Sequence, residues 1–573
     1  MEVRESICVL CPLGCPIGFN MSRLSTGPEF PSRICARGLF GSELLTHDQR
    51  IAAPLVRVNG VLREASWNTA IERLASRLTG VMGESGPDSI AIVTEPNRGT
   101  HQLEAVARLA EVIGTGSVAC AFEPQDWPLG TTVQSASASA IEEANCVVIV
   151  GDVFTTHPVM AGTIIDAKFT ARGNSLFVIE PRRSNTAWFA TSHLQNRPGT
   201  EALVLAAILA ALQPEPVGEF AWLKSVDAVE LASAAGLDQH MVVRVGRAFS
   251  AAEKAAIVLA PPARGIADVS LVATLANLLV KAGGTGKALV ALPSGGNAIG
   301  AADVAARHGW IQVSQLRAGL ESGAYKALLC LGTDLPSCYP SAALSKALAA
   351  MPLVASVALF RGETESVADI VLPECTWLED KGVAQLYDRS TVQWSEVALP
   401  SWGTLPLTTI IDRLIDRLVA ALPVAQRKVE PPIAVPAGAG PSIVERLQRV
   451  VKSSGVEAGD LALVTVSASG HAGAGSVTRW MQWARDVFPV GFIELAQDDL
   501  REMGVSDGEA VTVKSASGTV DLVARATDRL ERGTAAVASY DSAARGLFDW
   551  SPAGDGWFPT GPARIAVRKY HSS

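Results

Sequence analysis

The sequence predicts an α/β protein of doubly wound lobes followed by a small β-barrel-like domain, on three observations. Eight short runs, at 89–95, 146–152, 175–181, 255–261, 287–293, 326–332, 353–360 and 368–374, are apolar almost throughout and carry β-branched residues. That is the pattern of strands buried on both faces of a parallel sheet. Helix-length segments such as 101–113, 200–212 and 269–282 lie between them, as doubly wound lobes require. Finally, residues 508–528 alternate apolar and polar around a Ser-Gly turn, which predicts a β-hairpin within a barrel.

A stretch dense in Pro, Ala and Gly precedes that hairpin and predicts a linker over 426–441. The expected division is therefore 1–55, 56–425 for the α/β lobes, the linker, and 442–573 for the barrel. Residues 1 to about 50 show no sustained period and are expected to be loop-like, held by something other than an apolar core.

With 573 residues, 48% hydrophobic and 18% charged, the chain can bury several cores and does not read as disordered. A net charge of -9, with no run of Lys and Arg, argues against nucleic acid as a partner. No stretch reaches the length of a membrane span. The first cysteine, Cys8, leaves no room for a signal sequence ahead of it, and the Arg182-Arg183 pair is internal. Nine cysteines with four crowded into the first 35 residues fit a reduced, cytoplasmic protein with a metal site better than a disulfide scaffold.

Ligands of open α/β sheets sit beyond the C-terminal ends of the strands. Those ends read Gly151-Asp152, Glu180-Pro181-Arg182-Arg183, Gly332-Thr333-Asp334 and Pro373-Glu374, tight turns and polar groups where a nucleotide could lie. The GGTGK at 283–287 is not a P-loop, because the first glycine of that motif would fall on Lys281.

Cys8, Cys11, Cys15 and Cys35 form C-x2-C-x3-C-x19-C. Three thiolates on a tight loop and a fourth from a returning segment suit the corners of a [4Fe-4S] cubane. Four sulfurs also suit zinc, although the paired spacing of zinc ribbons is missing.

These motifs, with the SWNTAIERLASRL that begins at Ser66, resemble the opening of the bis-molybdopterin-guanine-dinucleotide oxidoreductase superfamily. That group includes formate dehydrogenases, nitrate reductases, formylmethanofuran dehydrogenase and the large iron-sulfur subunit of NADH dehydrogenase. VGDVFTTHP (150–158) resembles its G-x-N-x-x-x-x-H-P turn, with Asp152 in place of Asn. VIEPRRSNTA (178–187), RPGTEALVL (197–205), LPSGGNAIGAAD (292–303), GTDLPSCYP (332–340) and SGHAGAGSVTRW (469–480) resemble further stretches in the family's order.

The resemblance implies a double-psi type barrel that binds dinucleotide and a Mo- or W-bis-molybdopterin guanine dinucleotide. Its contacts would include Gly151, Asp152, His157, Pro158, Glu180, Arg182, Arg183, Gly199, Thr200, Gly296, Asn297, Gly300, Gly332, Asp334 and His471. Any one of these glycines is equally a simple turn, and either histidine equally a structural one. The resemblance also places Arg37 between cluster and pterin, where a cation would raise the cluster's potential.

In relatives whose metal takes a cysteine, that residue lies in a C-H-G-P-S segment. Here the place reads SVACAFEPQDWPLG (117–130). Cys120 is the candidate sixth ligand, or else a buried apolar cysteine, with Glu123, Asp126 or no protein ligand as alternatives. The absent His and G-P-S weigh against formate chemistry. Cys146, Cys330, Cys338 and Cys375 read as core.

The function expected is a molybdopterin-dependent oxidoreductase acting on a small substrate, possibly formate or another C1 compound. One cluster motif and no flavin or NAD fingerprint imply a partner subunit that carries an Fe-S, flavin or NAD site. The alternative is a non-catalytic electron-relay or scaffold subunit that keeps the fold without Mo or W.

Overall fold

A computed structural model describes residues 4–20, 23–25, 33–400, 403–421, 441–454, 460–552 and 558–570. The expected linker at 426–441 lies almost wholly outside the described residues.

The protein is mixed α/β, with a closed six-stranded barrel at its C-terminal end. All eight expected strands are present, distributed over two sheets. The five-stranded sheet is wholly parallel, in the order Ser192–Leu194, Ser175–Ile179, Cys146–Gly151, Ala255–Ala260, Lys287–Ala291. The seven-stranded sheet runs Val61–Glu64, Leu55–Val58, Ile370–Pro373, Leu353–Ala358, Ala327–Leu331, Ile90–Thr94, Val118–Cys120. Its first two strands form an antiparallel hairpin at one edge. The chain lays four strands in the larger sheet, leaves to build the smaller one, and returns at Ala327.

Each sheet is sealed by apolar helices. Glu201–Leu212 is apolar nearly all round, and it is buried between the five-stranded sheet and the helices Gln239–Ala251 and Val269–Gly283. Trp67–Ser85, Thr100–Ile113 and Leu407–Ala421 cover one face of the larger sheet. Its other face shares a continuous core with the barrel, through Ala91, Val93, Leu328, Tyr339, Trp550, Ile493 and Val513. Barrel and lobe thus share one core.

The expected hairpin appears as Ala510–Ser515 paired antiparallel with Thr519–Thr527. The N-terminal segment departs from the loop-like expectation, since Arg4–Ile7, Pro16–Asn20 and Arg23–Ser25 form a small antiparallel sheet. Strands of three to five residues are too short for a period of 2 to register in sequence. Their purpose is local: Ile7 pairs with Pro16, and Cys8 N donates to Cys15 O at 2.8 Å, closing the loop that carries three of the four cysteines.

Candidate functional site

The fourth cysteine returns just before the short helix Ala36–Leu39. Gly38 lies against Cys8, so that a Cβ on Gly38 would stand 3.4 Å from that of Cys8. Cys8, Cys11 and Cys15 are buried and Cys35 is half-buried. Burial raises the Cys8, Cys11 and Cys15 thiols well above their ordinary value, and neighbouring cysteines raise them further. Three buried thiols whose ionisation is disfavoured, with Cys35 beside them, are a donor set suited to a soft cation. Among the described residues, however, no three His, Cys, Asp or Glu side chains close around a single ion.

Arg37 is buried beside Cys11, Cys35 and Cys8. It donates through Nη2 to Thr156 O at 2.6 Å and through Nη1 to His471 O at 3.2 Å. One side chain therefore ties the cysteine loop to the five-stranded lobe and to the barrel. Arg37 Nε and His471 Nε2 are buried without hydrogen-bond partners. His471 stacks on Tyr540 at 4.1 Å, and its Nδ1 meets Thr478 Oγ1 at 3.1 Å.

Thr156 also lines a narrow cleft at the C-terminal edge of the five-stranded sheet. Gly151, Asp152, Glu180, Arg182 and Glu201 form its lobe side, with Pro262, Gly265 and Ile266 from the next strand end. Val464 to Ser467 of the barrel close the opposite side. Gly151 is left-handed, with φ +99°, and a Cβ there would overlap the Ala260 carbonyl, so only glycine lets the two strand ends meet. Asp152 accepts from Thr186 Oγ1 at 2.5 Å and caps Thr155 N. Burial, with the adjacent Asp152 charge, raises the Glu180 carboxyl well above its usual range. Arg182 makes a fork to Glu494 of the barrel at 2.8 and 2.9 Å.

The other expected contacts are placed as follows. His157 is buried and hydrogen-bonded to Pro293 O at 3.0 Å, and burial lowers it to about 3, so it is neutral. Pro158 opens the helix Pro158–Thr170. Arg183 is exposed, with its N bonded to Arg529 O. Gly199 (φ +84°) and the buried Thr200 form the turn ahead of helix Glu201–Leu212, outside the cleft lining. Gly296 packs so closely on the Val9 carbonyl that a Cβ would overlap it. Asn297 Nδ2 donates to Arg98 O at 2.7 Å, and its Oδ1 accepts from Gln385 N at 2.8 Å. Gly300 leaves room for that Asn297 side chain. Gly332 and Asp334 lie at the other sheet's edge.

Cys120 ends the edge strand Val118–Cys120, paired with Thr94, and is packed among Leu103, Phe122, Ala298, Ala301 and Val304. Burial raises its thiol well above the ordinary value. Asp126, in the following helix, accepts from Ser294 N at 2.6 Å and Gly295 N at 3.2 Å. Its carboxyl is held at about 7, mainly by burial. Glu123 meets Arg545 at 3.3 Å. Gln125 Nε2 donates to Ser294 Oγ at 2.7 Å, while its Oε1 is buried without a partner.

Sequence reasoning missed Thr156, Glu201, Gly265, the barrel segment 464–467 and Glu494. All but Glu494 sit at strand ends or turns whose proximity depends on non-local pairing, which no local pattern reports.

Comparison with known proteins agrees with this architecture. The molybdopterin oxidoreductase family model matches residues 50–417, and the molybdopterin dinucleotide binding domain model matches 461–546. The NADPH-Fe(3+) oxidoreductase subunit alpha of Geobacter sulfurreducens is 25% identical, over 92% of this chain and 70% of that protein. The F420-dependent formate dehydrogenase 2 subunit alpha of Methanococcus maripaludis is 22% identical, over 93% of this chain and 94% of its own. Formate dehydrogenase H of Escherichia coli is 24% identical over 73% and 68%. The solved acetylene hydratase of Pelobacter acetylenicus shares the fold, with TM-score 0.78 at 16% identity over 99% of this chain and all of that one. With its two lobes, its barrel and both models matched in order, the chain belongs to the molybdopterin oxidoreductase family.

Proposed function

We propose that this chain is the iron-sulfur and pterin-dinucleotide subunit of a redox enzyme. It would exchange electrons between a small substrate and a [4Fe-4S] cluster on Cys8, Cys11, Cys15 and Cys35, and then with a partner subunit. The observation that carries this reading is the Arg37 bridge. Arg37, buried beside the cysteines, donates to Thr156 O, and Thr156 lines the cleft. Cluster loop and cleft are one side chain apart, a placement that serves electron transfer.

The cleft's chemistry fits a guanine or pterin edge. Asp152 and Glu180 present acceptors where such rings carry N–H donors, and Gly151 and Gly265 let the backbone come close. When bound, a Mo or W centre on the pterin would supply two-electron chemistry. This chain's residues hold and orient the dinucleotide, keep its surroundings dry, and keep a fixed positive charge beside the cluster. Formate or another C1 compound is the substrate class proposed, since formate dehydrogenase alpha subunits are among the similar proteins.

One observation favours a second reading, a relay or scaffold subunit without Mo or W. The expected ligands of segment 117–130 are engaged elsewhere: Cys120 is in an apolar cluster, Asp126 is bonded to two backbone amides and Glu123 is paired with Arg545. Metal analysis with pterin fluorescence on protein purified without oxygen separates the two. About four irons with stoichiometric Mo or W and pterin support the first, and iron alone establishes the second. Iron-free, colourless protein would end both.

A further inference from the structure

The two sheets offer the same kind of strand end to a ligand, one lined by a cleft and the other covered by an arginine. At the five-stranded sheet, Gly151 (φ +99°) faces the cleft with Asp152 and Glu180 beside it. At the seven-stranded sheet, Gly332 (φ +88°) ends its strand in the same left-handed way. There the guanidinium of Arg98 lies directly on the glycine, so close that a Cβ would overlap Nη2. Arg98 comes from the turn after the neighbouring strand Ile90–Thr94, which pairs with Ala327–Leu331.

Arg98 is held in that position by charge. It meets Glu374 at 2.7 Å and Glu95 at 3.4 Å, and Arg98 and Glu374 are 7% and 3% exposed. Two carboxylates therefore face one cation. Arg98 Nε and Glu374 Oε2 keep no hydrogen-bond partner, but the cation's charge is balanced before any phosphate arrives. An incoming pyrophosphate would meet an arginine already paired, and drawing Arg98 away would leave Glu374 buried without its partner, which is strongly unfavourable.

Asp334, the next polar group at this edge, is also committed. Its Oδ1 accepts from Thr364 N and Oγ1, both at 3.0 Å. Its Oδ2 accepts from Ser337 Oγ at 2.5 Å, Glu363 N at 3.2 Å and Arg479 Nη2 at 2.6 Å. Nothing remains for the donor edge of a base. Asp152, bonded through Oδ1 to Thr186 and Thr155, and Glu180, bonded through Oε2 to Ser184, line the cleft, so the contrast is one of accessibility and not of residue type.

We infer that this chain takes a single pterin dinucleotide, in the cleft between the five-stranded sheet and the barrel, and that the Arg98–Glu374–Glu95 cluster closes the equivalent position on the other sheet. The inference rests on the proposed cofactor class and departs from the pair of dinucleotides that the resemblance implies.

The test is a count. Protein purified anaerobically from cells that make the cofactor is denatured, the released dinucleotide is cleaved, and GMP is measured against protein. One GMP per chain is expected. Two per chain would overturn the inference and leave the proposed cofactor class standing, whereas none would overturn both. Ser467→Trp, which fills the open cleft from the barrel side, locates the site. It is expected to bring the count from one to near zero with iron retained. A count that stays at one in folded Ser467→Trp places the nucleotide elsewhere and sinks the assignment. The wild-type count stands by itself should that variant not fold.

Discussion

The Val9 carbonyl, in the loop between Cys8 and Cys11, packs against the bare Cα of Gly296 with no space for a methyl group. Gly296 is held from the other side by Asn97, whose Oδ1 accepts from its N at 2.7 Å. The cysteine loop thus rests on the glycine-rich turn at 292–297, and backbone lies against backbone.

Gly296→Ala should therefore push the cysteine loop off its seat. Overpacking in buried places costs about 1–3 kcal/mol, and the loop is the softer partner. Iron per chain and the visible absorbance of the cluster are expected to fall while the lobes stay folded by circular dichroism. Full iron content in this variant would show that the loop does not need its contact with the turn.

Arg37→Gln tests the bridge between cluster and cleft. It removes a buried cation from beside the cysteines and weakens the bonds to Thr156 O and His471 O. A unit charge about 4 Å away contributes roughly 1–4 kcal/mol at effective dielectric constants of 80 to 20. The added electron is destabilised by an amount of that order, so the cluster's midpoint potential should move negative. An EPR-monitored redox titration reads this directly, and an unchanged potential would mean that Arg37 is structural only.

Arg50 and Glu379 hold the N-terminal part of the chain to the seven-stranded lobe. They form a buried two-pronged pair, at 3.0 and 2.7 Å, and Glu379 also accepts from Thr376 N at 2.8 Å. Arg50→Met leaves a buried carboxylate without its cation, a loss of about 3–5 kcal/mol. The first unfolding transition should fall in temperature by several degrees. The double variant Arg50→Met, Glu379→Leu should recover part of that loss, which separates charge from packing.

The parts of this architecture that sequence could show are those decided locally. Cys146–Gly151 and Ala255–Ala260 are buried at every position, so their apolar runs stand out. Val118–Cys120 and Ser192–Leu194 are three residues long and leave no pattern, and the hairpin strand Val61–Glu64 is largely exposed. Gly151, Asp152, Glu180 and Arg182 were legible as strand ends. Their counterpart at Val464 to Ser467 was not, because an apolar strand end carries no chemical mark. Arg98 and Glu374 are 276 residues apart, and only the strand order of the sheet, with two strands between theirs, brings them together.

Glu201 gives a pH signature for the cleft. It is buried, and one oxygen accepts from Asn196 Nδ2 at 3.1 Å while the other has no partner. Burial raises it from an ordinary 4.5 to about 7. A carboxyl whose folded value is raised imposes no penalty below its unfolded value, a growing one as pH rises, and the full penalty above the folded value. Glu201→Gln should therefore match wild type in melting temperature near pH 4.5. Above pH 7 it should exceed wild type, by at most about 3 kcal/mol of stability. A difference that is flat with pH would show that Glu201 does not titrate in the folded protein.

Cys120→Ala asks whether the metal needs this thiol. A sulfur ligand must be deprotonated, yet Cys120 is packed among Leu103, Phe122 and the alanines of helix Ala298–Arg307. Truncation there leaves a small void and should cost about 1 kcal/mol, as ordinary core substitutions do. Mo or W content, iron content and turnover are then expected to match wild type. Loss of Mo or W with iron retained would instead make Cys120 the sixth ligand. That outcome would require the strand end to open toward the cleft when cofactor binds, and hydrogen exchange across 117–130 with and without cofactor would show the opening.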